Sequence, residues 1–304
     1  MSKFETLLIV GGGLIGSSLA RAAKSYGQAA TVLMADSNPD VVATITSLDI
    51  ADEANVDAAK LAPAADLVIL AVPPGRMAQA AAAVIPAMKS GATLSDVGST
   101  KGYVMEAIAP LLRDDISFVP GHPIAGTENS GPEAGFAELF QKRWCILTPE
   151  DETSPAAKQV AAFWEGLGSD VAMMDAKRHD TVLATTSHVP HLLAYALVGT
   201  AVDMERVTNN EVVKFSAGGF RDFTRIAASD PEMWRDVFLS NKTAVLEVVD
   251  RYIEDLSALK RAIRWGEGAD LLREFSKTRN IRRQIIDAGQ DTDAPNFGRD
   301  KKPD

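Results

Sequence analysis

A chain of 304 residues is too long for one small core and long enough for two domains. Its 46% apolar and 24% charged residues are ordinary for a globular protein, and its longest apolar stretch, residues 192–202, falls short of the roughly 20 residues a membrane-spanning helix needs. A formal charge of −10 argues against a nucleic-acid surface and means that any anionic ligand must be met by a few deliberately placed cations. The N-terminus runs into a strand almost at once, which leaves no signal peptide, and the one cysteine, Cys145, has no partner for a disulfide. Both fit a reducing cytoplasm.

Through residue 175, short β-branched runs alternate with Ala-rich helical stretches. The pattern predicts strands at residues 7–10, 31–35, 67–71, 93–96, 117–119, 144–147 and 170–173. Helices fall between them, near residues 14–26, 41–47, 77–88, 103–112 and 155–167. Alternation of this kind means an α/β fold, a doubly wound, mostly parallel sheet of the Rossmann type with both faces covered. From residue 176 to about 289 the pattern is all-helical, with breaks near Pro190, Gly218–Gly219 and Pro231, and Ser229-Asp230-Pro231-Glu232 reads as a helix start. The stretch 192–202 (LLAYALVGTAV) is apolar nearly all round, so it should be buried on every side, and burial between two subunits of a homodimer is the expectation. Residues 290–304 are polar, charged and aperiodic and read as a disordered tail.

The first strand leads straight into Gly11-Gly12-Gly13-Leu14-Ile15-Gly16, in which Gly11, Gly13 and Gly16 fit G-x-G-x-x-G. The first glycine permits the tight turn, the second lets backbone N–H groups near Leu14 and Ile15 approach a pyrophosphate, and the third lets helix and strand pack closely. Asp36 ends the second strand, placed to accept hydrogen bonds from ribose hydroxyls and to repel a 2′-phosphate, and Ser37 offers no compensating arginine. NAD is therefore favoured over NADP. Val72 and Pro73 end the third strand; they either lie beneath the adenine–ribose side of the dinucleotide or simply terminate the strand.

The four histidines are His122, His179, His188 and His191. His122 sits in Val119-Pro120-Gly121-His122-Pro123, which the flanking Pro and Gly mark as a rigid loop at the carboxyl end of a strand, where open α/β sheets place ligands. Ser99, in DVGSTKG, ends the preceding strand at the same edge. Such a hydroxyl and imidazole can share a substrate hydroxyl in a hydride transfer. His188 and His191, three apart, share a helical face, with His179 upstream; capping or core roles compete, and no cysteine or suitably spaced acid completes a zinc set. Gly218 and Gly219 open a turn, after which Arg221 and Arg225 share a helix face and Asp222 can pair with Arg225. An arginine there is a candidate carboxylate clamp, and a salt-bridged surface helix is the competing reading.

Together GGGLIGSSLA, DVGSTKG, GHPIAGTENSGPEAGFAELF, HDTVLATTSHVPH and GGFRDFTRIAASDPEMWRD, in this order, resemble the prephenate/arogenate (cyclohexadienyl) dehydrogenase family. The resemblance implies NAD-dependent oxidative decarboxylation of a small cyclohexadienyl carboxylate in tyrosine biosynthesis. It implies that His122 accepts the hydrogen bond of the ring hydroxyl, with Ser99 as its partner. His191 then contacts the substrate side chain, with His179 and His188 supporting that wall, while Arg225 binds a carboxylate beside an ionic network of Glu128 and Asp222. A neutral His122 gives a rate that falls below about pH 6.5 unless the site shifts the histidine. Neither a regulatory domain after residue 288 nor a mutase domain before residue 7 is expected. The alternatives are a 3-hydroxyacid or 6-phosphogluconate-type dehydrogenase, which would use a lysine of the helical domain, where Lys214 is the only one near these segments, and a catalytically silent NAD sensor.

Overall fold

The computed structural model describes residues 4–127, 129–208 and 216–287, with backbone alone at 205–208. The expected tail and Lys214 lie outside the described residues. Two compact units divide the chain, Met1–Leu246 and Glu247–Asp304.

In the first unit, β1 (Phe4–Val10), β2 (Ala29–Ala35), β3 (Glu53–Asn55), β4 (Leu67–Leu70), β5 (Thr93–Asp96) and β6 (Ser117–Val119) form one parallel sheet in the order β3-β2-β1-β4-β5-β6. Side chains alternate across it. Leu7 and Ile9 pack with Leu19 of α1 (Leu14–Ser25) and with Phe163 and Trp164 of α6 (Pro155–Gly166). Leu8 and Val10 pack on the opposite face with Leu61 of α3 (Ala58–Leu61), Met77 and Val84 of α4 (Met77–Val84) and Val104 of α5 (Lys101–Ile108). Burial of both faces explains why the strands lack a polar stripe. Helix starts follow local chemistry: Asn38 caps α2 (Pro39–Ser47) and Ser154 caps α6, each with proline in the first turn.

Three expectations change. Short β3 and α3 escape sequence reading because they are brief and partly polar. Residues 144–147 and 170–173 are strands, β8 (Trp144–Leu147) and β9 (Asp170–Met173), but they belong to a second sheet in the order β7-β8-β9. Its edge is β7 (Gly121–Pro123), so His122 sits on a strand and not in a loop. The prolines that suggest a loop are compatible with an edge, where a missing N–H leaves no ladder bond unmade.

The helical part of this unit comprises α7 (Ala176–Leu183), α8 (Val189–Thr208), α9 (Gly218–Thr224) and α10 (Pro231–Ser240). Asp230 caps α10 by accepting the Met233 N–H at 2.8 Å, and Pro231 opens the helix, as the sequence requires. Pro190 does not end a helix; the chain widens into a π-helical turn, Ala184–His188, immediately before it. That widening accommodates a residue with no N–H and a ring that crowds the preceding turn. Gly218 and Gly219 form the first turn of α9 and do not precede it. Residues 192–202 are not buried on every side in the single chain, with Leu197 38% and Val202 49% exposed. A helix, α11 (Lys242–Trp265), spans the boundary between units, and α12 (Gly268–Asp287) belongs to the second. In that second unit Trp265 and Leu272 are largely exposed.

The first turn of the sheet is tightly packed. A side chain on Gly16 would overlap the Gly11 carbonyl oxygen, and one on Gly11, at φ +112°, would overlap the Ala71 carbonyl. Gly16→Ala should therefore destabilise the protein by about 1–3 kcal/mol, the cost of overpacking against atoms that cannot move aside. Urea denaturation checks this through a lowered midpoint with an unchanged slope.

Candidate active site

The turn from β1 to α1 fits a dinucleotide. Its first helical amides have no side-chain cap, and no acid stands in the first turn to compete with a phosphate. Gly13 is exposed, with no other atom within 4 Å of where a Cβ would stand, so the backbone is open to a ligand. Leu14 and Ile15 are half-buried beside it, and Val72 packs over Gly11, while Pro73 is exposed. Asp36 is held rigidly: it accepts the Gly12 N–H at 2.7 Å and the Asn38 N–H at 2.9 Å. A carboxylate has about four acceptor positions, so two bonds leave it able to receive ribose hydroxyls.

Beyond the end of β5 lies a buried ion pair. Lys101, at the start of α5, is fully buried, and its Nζ donates to Asp96 Oδ2 and to the Gly121 carbonyl, each at 2.5 Å. Asp96 also accepts the Gly98 N–H at 2.7 Å and the Gly121 N–H at 3.2 Å. Glycine at 121 eases this approach, since a Cβ would stand 3.0 Å from the Asp96 carbonyl and crowd it. Burial pulls the lysine below its ordinary range, against the opposing pull of Asp96.

His122 follows Gly121. Its Nδ1 lies 2.8 Å from His179 Nε2, and His179 Nδ1 lies 2.8 Å from Asp180 Oδ1. Asp180, on α7, further accepts the Lys101 and Gly102 N–H groups, both at 2.8 Å. Burial pushes His122 well below the ordinary histidine value, aided by the neighbouring His179, Lys101 and His188. His179 is also shifted down, chiefly by burial, with Asp180 opposing. Both rings are therefore neutral at pH 7. His179 is wholly enclosed behind His122. Ser99 is half-buried on the loop before α5, and the His122 ring bonds His179 and not Ser99 among the described residues.

A second wall comes from α8 and α10. His191 donates from Nδ1 to the Ser187 carbonyl at 2.9 Å and stacks on Trp234, with centroids 3.6 Å apart. His188 is buried against Trp234 and receives the Asn241 amide at 3.1 Å; burial lowers its pKa to about 4. Arg225 begins a single 3-10 turn, Arg225–Ala228, that is tied to α8 by the Tyr195 hydroxyl bonding the Ser229 carbonyl at 2.9 Å. It is exposed, and its charge helps depress His191, which burial lowers first. The expected pairing of Asp222 with Arg225 is absent among the described residues, because the helix tightens at Arg225 and both side chains face solvent. Glu128 lies outside the described residues.

The family model for the prephenate dehydrogenase nucleotide-binding domain matches residues 19–173, and that for the prephenate dehydrogenase dimerization domain matches residues 175–277. The chain belongs to the prephenate dehydrogenase family. It is 42% identical over 283 residues to the cyclohexadienyl dehydrogenase of Zymomonas mobilis subsp. mobilis, covering 93% of this chain and 96% of that one. Among solved structures it is similar to the prephenate dehydrogenase from A. aeolicus in complex with hydroxyphenyl propionate and NAD+, with 37% identity, a TM-score of 0.84 and coverage of 93% and 98%. It is also similar to Synechocystis arogenate dehydrogenase, with 26% identity, a TM-score of 0.78 and coverage of 92% and 99%. Membership in the prephenate dehydrogenase family sets aside the hydroxyacid alternatives.

Sequence reasoning about this prephenate dehydrogenase family member misses Asp96, Lys101, Asp180, Trp234 and Asn241. Asp96 and Lys101 stand in DVGSTKG and Asp180 follows His179, but nothing in composition or period says that a lysine will be buried. Removing one member of a buried pair strands the other's charge. Lys101→Met should cost about 3–5 kcal/mol, with part of that loss recovered when Asp96 is also made apolar. Urea denaturation of the single and double variants checks both.

Proposed function

We propose that this protein catalyses the NAD-dependent oxidative decarboxylation of prephenate, arogenate or both, forming 4-hydroxyphenylpyruvate or tyrosine. The observation that carries the reading is His122, an imidazole kept neutral at the same edge of the fold as the dinucleotide turn, in a chain of this family. NAD, when bound, supplies the acceptor for the hydride leaving the ring carbon that bears the hydroxyl; Gly13 and the first amides of α1 would hold its phosphates and Asp36 its ribose, in a turn that Gly11 and Gly16 keep tight. His122 accepts the hydrogen bond of that hydroxyl, drawing electron density onto the carbon as it is oxidised. The carboxylate on the opposite ring carbon departs as carbon dioxide, and the electron pair of the broken bond completes the aromatic ring. The oxygen ends as a phenol, so the proton is lent to His122 and not consumed. Ser99 orients the hydroxyl, Arg225 binds a carboxylate, and His191 meets the substrate side chain against Trp234.

The helical segment from residue 176, named in its family for dimerization, serves here as a homodimer interface. The exposed Leu197 and Val202 support this. A domain boundary near residue 175 and a cytoplasmic location accompany the reading; among the described residues no helix is long and apolar enough to cross a membrane.

Incubating the enzyme separately with prephenate and arogenate and following NADH absorbance should give turnover with at least one. NADP should be poorer by about tenfold or more, the factor that about 1.4 kcal/mol of repulsion from Asp36 supplies. Tight NAD binding without turnover of either acid would overturn the reading. The pH profile is a separate check. Because burial lowers His122, its neutral form survives below the ordinary value of 6.5 and is lost only as pH falls through the lowered value. The hydride step should thus stay level through about pH 6.5, later in its acid decline than an unperturbed histidine allows. Solvent and substrate isotope effects at each pH isolate that step.

A further inference from the structure

The polar chain behind His122 fixes more than its position. An ionised carboxylate offers only acceptors, so the hydrogen between Asp180 Oδ1 and His179 Nδ1, 2.8 Å apart, belongs to the histidine. A neutral His179 protonated at Nδ1 has only a lone pair at Nε2. The 2.8 Å contact from that nitrogen to His122 Nδ1 then requires His122 to donate. With its one hydrogen on Nδ1, a neutral His122 has a bare Nε2.

We propose that Asp180 is a positioning residue that sets the tautomers of His179 and His122 and thereby keeps His122 Nε2 free to accept the substrate hydroxyl. The proposal rests on His122 being the acceptor. Asp180 suits the task because its charge is locked in place. Although burial alone would raise its carboxyl, the bonds from His179 and from the backbone of Lys101 and Gly102 hold it below the ordinary range. Both of its oxygens are engaged: Oδ1 receives Lys101 N and His179 Nδ1, and Oδ2 receives Gly102 N. Its own carbonyl is held by the Asn241 amide at 2.8 Å. The carboxylate therefore joins the start of α5, just after the Ser99 loop, to the histidine chain.

Asparagine at this position keeps the size and loses the logic. It has one acceptor oxygen where the site presents three N–H groups. Whichever way it turns, an amide N–H meets a backbone donor, and in one of the two orientations it also meets His179 Nδ1 and favours the reversed tautomers. Asp180→Asn should lower kcat by about 10²- to 10⁴-fold, the scale set by the equivalent change in hydrolase triads, while NAD affinity changes little.

The deciding measurement is nitrogen NMR of the histidine rings in the wild-type enzyme, which needs no variant to fold. His122 should show a protonated Nδ1 and a bare Nε2, and His179 the same pattern; in Asp180→Asn the pattern should reverse or mix. A wild-type His122 with a bare Nδ1 would overturn the proposal, as would a folded Asp180→Asn enzyme with unchanged kcat. His122→Asn separates the two ideas. If it is inactive while Asp180→Asn is fully active, only the role of Asp180 fails. If His122→Asn retains full turnover, the acceptor reading itself fails.

Discussion

A charge removed from water must be ringed by acceptors, and the Lys101 ammonium imposes that requirement at the meeting point of both sheets and the helical segment. Its partners are the Asp96 carboxylate at the end of β5 and the Gly121 carbonyl at the start of β7. Its own backbone N–H goes to Asp180 on α7. One residue thus draws three elements together, and His122 is the next residue along β7. Buried ion pairs often add little net stability, since desolvation offsets most of the attraction. The value of this one is positional and electrical: the same charge that is expensive to bury lies close enough to His122 and His179 to disfavour a second positive charge there.

The sheet supplies the other constraint. Val10 pairs with Ala35 on one side and Leu70 on the other, and Leu70 pairs with Asp96. The residues just past these positions, Gly11, Asp36, Ala71 and Val97, consequently lie side by side along one carboxyl edge. Each turn to which a role is proposed begins there: the glycine turn, the Asp36 carboxylate, the Val72 segment and the Ser99 loop. The order β3-β2-β1-β4-β5-β6 puts the reversal of strand progression between β1 and β4, which opens a crevice beneath that edge. Parallel pairing therefore sets the relation between the glycine turn and the Ser99 loop before any side chain is considered.

Much of this was legible in the sequence, and what was not has a common cause. The β1–α1 turn could be read because its demands are local: glycine where a side chain would collide with backbone, and an acid one strand further on. The cap of α10 could be read for the same reason. The strand at His122 could not, because it is three residues long between prolines and exists through its pairing with Ile146, 24 residues away. Likewise the motif that contains Lys101 does not say whether its ammonium faces solvent or a carboxylate. His179 shows the limit most clearly. The resemblance set it with His188 in support of the His191 wall, and no spacing in the sequence says that its ring turns to His122 across 57 residues of chain. Periodicity identifies faces of helices; it does not identify which distant side chain a face will meet.

The distribution of charge across the site follows from these contacts. His122, His179, His188 and His191 are all displaced toward the neutral form, first of all by burial. Among the described residues, positive charge near them includes Lys101, sealed against Asp96, and Arg225, exposed and close enough to act on His191. A guanidinium cannot be deprotonated in any relevant range, so an anion docking at Arg225 meets the same charge at every working pH. A neutral imidazole keeps a lone pair that an imidazolium lacks. In a chain carrying a net charge of −10, an exposed arginine beside neutral imidazoles separates a permanent cation from groups that keep a lone pair. Binding and proton handling then depend on different groups, so a change of pH that alters one need not alter the other.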